Sequence, residues 1–77
     1  MKMNIQLKSI DDVKVFVNEV NKIQCDADLS SGRYVVDAKS IMGIFSLDLT
    51  NPIVLEVHSK EKGECDDFLK AIERFKA

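Results

Sequence analysis

The 77-residue chain has no run of lysine or arginine, and its formal net charge is −2. Binding to nucleic acid needs concentrated positive charge against phosphate, so this balance argues against a nucleic-acid partner. The same shortage argues against docking on an anionic membrane surface. No stretch approaches the roughly 18 apolar residues of a membrane span. The opening MKMNIQLKSI lacks the apolar core and small-residue cleavage site of a signal peptide, and the cytoplasm is the expected address. There is no CxxC spacing. Cys25 and Cys65 stand forty residues apart and read as separate thiols with structural or surface roles. A single histidine, His58, has no second ligand at usable spacing, so no metal site is expected and no cofactor is implied. No internal repeat or low-complexity segment is present.

What remains is an ordinary globular composition, 45% hydrophobic and 31% charged, in a length that fits one domain over residues 1–77. Met3, Ile5 and Leu7 alternate with polar residues, the period of a half-buried strand. Ser9, followed three residues later by Asp12, is a helix-capping pair. Beyond it Ile10, Val13, Phe16, Val17, Val20 and Ile23 recur at helical spacing, predicting one buried face. Ser30 to Gly32 reads as a tight turn between two strands, the second running from Arg33 to Ala38. A short helical turn begins at or near Ser40. Asn51 before Pro52 marks a loop. Ile53, Leu55 and Val57 alternate inward against Val54, Glu56 and His58. Lys60 to Glu64 reads as a charged turn, and Cys65, Phe68, Leu69, Ile72 and Phe75 share one face of a closing helix.

The order is βαββαβα. Neither longer helix can bury its apolar stripe alone, and both can cover one face of a single sheet. The predicted fold is α+β: a two-layer open-faced β-sandwich. A four-stranded, mostly antiparallel sheet is covered on one face by two longer helices and one short helix.

This element order, the length and the stretch AKSIMGIFSL together resemble the HPr family, the phosphocarrier proteins of the bacterial sugar phosphotransferase system. In topology the resemblance covers nearly the whole chain. In residue identity it is strong from about Asp37 to Leu49. It implies an HPr-like domain that is not an enzyme, with two possible sites. One is the family's phosphorylatable histidine at the start of the first helix, closely followed by an arginine. That position falls at Ser9 and Ile10, with the arginine near Asp11, so neither side chain carries over. No histidine precedes Ser40. The other is the motif serine, phosphorylated by an ATP-dependent kinase, and Ser40 matches it directly.

Phosphohistidine transfer needs a nucleophilic imidazole and positive neighbours. Ser9 has no visible base, and Asp11 and Asp12 would repel a phosphoryl group, so standard carrier chemistry is not expected. Ser40 admits two readings. It is a good helix cap, worth about 1 kcal/mol over alanine. It can also be a regulatory phosphoacceptor: Lys39 and a helix start beside it would tolerate an added charge of about −2. The apolar residues Ile41, Met42, Ile44, Phe45 and Leu47 exceed what one helical turn buries. Lys39, Ile41, Met42, Ile44 and Phe45 are therefore the expected partner surface. Partners implied are proteins of the phosphotransferase system, or a serine kinase and a transcriptional regulator, with the chain a monomer or weak homodimer. The alternatives are a phosphocarrier using an unconventional acceptor, Ser9 or His58, and a degenerate paralogue without phosphate chemistry.

Overall fold

The computed structural model describes residues 1–59, Gly63 and residues 65–77. The charged turn expected at Lys60 to Glu64 lies, apart from Gly63, outside the described residues. The elements are β1 (Lys2–Ile5), α1 (Ile10–Val20), β2 (Asp26–Ser31), β3 (Tyr34–Asp37), α2 (Ile41–Phe45), β4 (Ile53–His58), α3 (Asp66–Ala71) and a 3-10 turn, Glu73–Phe75. The strands form one sheet in the order β1-β4-β2-β3, and every pairing is antiparallel.

The alternation in β4 sets the two faces. Ile53, Leu55 and Val57 are buried, and β1 and β2 bring Ile5, Ala27 and Leu29 into register beside them. Their intervening neighbours, among them Glu56, Asp28 and His58, point to the uncovered face. α1 turns Val13, Phe16 and Val20 onto the apolar face, and the closing helical segment adds Phe68, Ile72 and Phe75. Phe16 and Phe68 meet edge to face, with centroids 6.2 Å apart and planes inclined by 61°. The result is the open-faced α+β sandwich.

Boundaries depart from the sequence reading at the ends. α1 stops at Val20, where the Asn21 amide donates to the carbonyls of Glu19 and Val17. Ile10, expected on the buried face, is the first helical residue and is 62% exposed, because the helix begins before it reaches the sheet. β3 is an edge strand, and Tyr34 and Val35 are both exposed. The hairpin before it turns on Gly32 and Arg33, with Gly32 at φ +59° in the first position. That backbone suits a two-residue connection beginning with glycine. α3 ends at Ala71, and the chain tightens into the 3-10 turn that buries Phe75. The segment after it lies along β1: Gln6 N donates to Phe75 O at 2.7 Å, and Ala77 N to Asn4 O at 3.0 Å.

Asp48 organises the loop into β4. Its Oδ1 accepts from the Thr50 amide at 3.1 Å and the Thr50 hydroxyl at 2.5 Å, and its Oδ2 from Asn51 Nδ2 at 3.3 Å. The Thr50 hydroxyl, followed by the Thr50 amide, holds the Asp48 carboxyl below its ordinary value of 3.8. A depressed carboxyl contributes stability at pH values above its unfolded pKa, and that stability is lost as pH falls through the folded pKa. An NMR titration of the Asp48 carboxyl should therefore have a midpoint below 3.8. Thr50→Val should move it upward, and an unchanged midpoint would remove this role for the loop.

Candidate functional site

α2 is the element on which the expected site depends. Ser40 is its N-cap, with extended backbone, and its Oγ accepts from the Gly43 amide at 3.2 Å. Five residues give little more than one turn, and only one side chain can point at the sheet. That side chain is Ile44, which is fully buried. The expectation that Ile44 belongs to the partner surface is thus corrected: it anchors α2 in the core. Leu47 follows it inward. The other apolar residues of the helix point out, with Met42 78%, Phe45 44% and Ile41 36% exposed.

Gly43 lets α2 lie close on the edge strand. A Cβ there would stand 3.2 Å from Val36 Cβ and 3.4 Å from Ser40 Oγ. The first contact is tighter than ordinary packing, and Val36 Cβ is fixed to the β3 backbone. Lys39 is committed to structure as well. Its Nζ donates to Ile23 O at 2.8 Å, and its carbonyl accepts from Asn21 Nδ2 at 3.4 Å. Its charge therefore sits next to Ser40 but reaches toward the α1–β2 connection.

At the other end of the site Ser9 caps α1, its Oγ accepting from the Asp12 amide at 3.1 Å. The Asp12 carboxylate accepts from the Lys8 amide at 2.9 Å. Ser9 and Asp12 are thus engaged in capping. Asp11 lies in the first turn of α1 and is exposed. Ser9 and Ile10 line an open groove of about 520 Å³ with Phe45, Val13 and Leu49. The fold therefore brings Ser9, Ile10 and Phe45 together, and Met42 and Ile41 continue the apolar surface toward Ser40. Ile10 is the member of this surface that helical periodicity assigned to the core.

His58 is elsewhere. Strand alternation puts it on the uncovered face of the sheet, where its Nε2 lies 2.7 Å from Asp28 Oδ2. Among the described residues no group of His, Cys, Asp and Glu could hold a metal ion. No helix among them is long and apolar enough to cross a membrane. Sequence reasoning also missed a contact: Cys25 Sγ and Cys65 Sγ are 2.8 Å apart.

A four-stranded open-faced sheet with a capped serine at the start of a short second helix defines a class that the comparisons identify. A family model described as "PTS HPr component phosphorylation site" matches residues 12–77. The chain belongs to the HPr family, whose members are phosphocarrier proteins, not enzymes, and interact with proteins of the phosphotransferase system. The match begins just past Ser9, Ile10 and Asp11.

Among solved structures, HPr-C-His from Thermoanaerobacter tengcongensis superposes with a TM-score of 0.77 at 23% identity, over 96% of this chain and 88% of that one. The phosphocarrier protein HPr from Bacillus anthracis superposes at 0.70 and 24%, over 100% and 94%. The histidine-containing phosphocarrier protein of a Mycoplasma gives 0.69 and 16%, over 96% and 86%. These likenesses establish the fold. No curated protein sequence matches the chain.

Two substitutions test the local geometry. Ser40→Ala removes the cap and should cost about 1 kcal/mol in urea unfolding, whereas Ser40→Asp supplies another acceptor and should retain most of it. Gly43→Ala gains about 1 kcal/mol of helix propensity but crowds a backbone-fixed Cβ, which typically costs 1–3 kcal/mol, so a net loss is expected. A stabilised Gly43→Ala protein would show that α2 is not tightly seated on Val36.

Proposed function

We propose that residues 1–77 form a single HPr-like domain that acts as a regulatory or protein-binding member of the family rather than as a standard phosphohistidine carrier. The observation that carries this reading is an exposed apolar surface, Ile10, Phe45, Ile41 and Met42, running from the first cap to the second. Exposed side chains of this kind, grouped on one side of a small protein, suit a docking surface.

Ser40 is the control point in this proposal. A phosphate on its Oγ adds about two negative charges at the start of the helix that carries Met42 and Phe45, and a partner resting on those side chains would meet that charge. At Ser9, the first-helix site offers a hydroxyl already accepting from the Asp12 amide, beside acidic Asp11 and Asp12. That setting supports the loss of histidine-based transfer. The implied partners are phosphotransferase-system proteins, or a serine kinase and a transcriptional regulator. The chain would meet them in the cytoplasm as a monomer or weak homodimer.

Incubation with an HPr-type serine kinase and ATP should place one phosphate on the wild-type chain and none on Ser40→Ala. Met42→Asp, at an exposed position, should leave the unfolding midpoint nearly unchanged and weaken binding to phosphotransferase-system proteins by at least about tenfold. Phosphoenolpyruvate with the upstream enzyme should transfer no label. Acid-labile label at His58 would replace this proposal with the carrier reading. Failure of both Ser40 phosphorylation and the Met42→Asp effect would leave neither regulatory role standing.

A further inference from the structure

The two cysteines, forty residues apart in the chain, converge in space. Cys25 lies in the connection between α1 and β2 and is half-buried, while Cys65 is buried at the N-cap position of α3. Their Sγ atoms are 2.8 Å apart. A disulfide places the sulfurs about 2.05 Å apart, so closure needs an approach of only about 0.8 Å.

We propose that Cys25 and Cys65 form a reversible intramolecular disulfide, so that the chain responds to oxidants of the peroxide class. Cys25 is the first to react, because its sulfur is the more accessible. Its thiolate attacks one peroxide oxygen, the O–O bond breaks, and the products are Cys25 sulfenic acid and hydroxide. The Cys65 thiolate then attacks Cys25 Sγ, the S–S bond forms and the S–O bond breaks. Each of the two departing hydroxides takes up the proton that the attacking thiol released on ionising, giving water. In sum, two thiols and one hydrogen peroxide give one disulfide and two waters, with two electrons passing from sulfur to oxygen. A dithiol reductant reverses the state of the protein by exchange. In a reducing compartment the pair rests as thiols, and a bridge there is transient rather than a permanent staple.

The structural consequence follows from where the bridge lies. It ties the residue before β2 to the start of α3 and closes a loop of about forty residues, which restricts the unfolded chain strongly. The α1–β2 connection it fixes is the same one that hydrogen-bonds Lys39 through Asn21 and Ile23.

The test uses the full chain, reduced and then treated with hydrogen peroxide under native conditions. Intact mass should fall by two hydrogens per chain, and both thiols should become unreactive to a maleimide. The unfolding midpoint should rise by roughly 10 °C, and dithiothreitol should reverse all three changes. Cys25→Ser, at the half-buried position, should show no peroxide-dependent rise, and Cys65→Ala should behave alike if it folds. Three results would overturn the proposal. One is oxygen adducts on wild-type cysteines with no loss of hydrogens. Another is cross-linking only between chains. The last is a bridge that forms only in urea and lowers the midpoint on refolding.

Discussion

A helix of five residues can turn little more than one side chain into a sheet, and in α2 that side chain is Ile44. The character of the exposed apolar surface depends on this limit. Burying Ile44 fixes the rotation of α2: Met42, about half a turn away around the axis, stands outermost at 78% exposed, while Ile41 and Phe45 flank Ile44 and are exposed in part. Gly43, beside Ile44, lets the backbone approach Val36 closely enough for that burial to occur. The exposed residues are thus a geometric result of how the helix is anchored. A longer helix could have set an apolar face wholly against the core, and this one has no second turn with which to do so.

How much of an element is legible in the sequence depends on where that element sits in the fold. Period-two alternation in Ile53, Leu55 and Val57 was decisive because β4 lies inside the sheet, with a neighbour on each side and helices on one face. In β3 Tyr34 and Val35 are both exposed although neighbouring residues of a strand point to opposite faces, because an edge strand is only partly covered whichever face a side chain takes. Helical periodicity located the stripe of α1 but carried Ile10 into it. Periodicity describes direction around an axis, and Ile10 points the right way at a height where the layer has not yet begun.

For the site, caps were readable because they are local. Ser9 and Ser40 each accept from an amide three residues ahead, and no tertiary information is needed to foresee such a bond. The placement of Ile44 needed the rotation of α2, which tertiary packing sets. The Cys25–Cys65 contact was still less accessible. Forty residues and four intervening secondary-structure elements separate the two sulfurs, and they meet only when the residue before β2 and the residue before α3 come together in the folded chain. Sequence spacing excludes a CxxC motif but carries no information about distance across a core.

The α1–β2 connection is where these threads meet. Asn21 donates to the Lys39 carbonyl, and Lys39 reaches back to the Ile23 carbonyl. Together these bonds hold the residue before the Ser40 cap from two sides. The cap itself adds a third restraint, through the Gly43 amide. Ser40 therefore begins α2 in a backbone conformation fixed by its neighbours as well as by its own hydroxyl. Ile44 stays seated through its own burial and the close approach of Gly43 to Val36, so the seating of α2 rests on contacts separate from the exposed side chains beside Ser40.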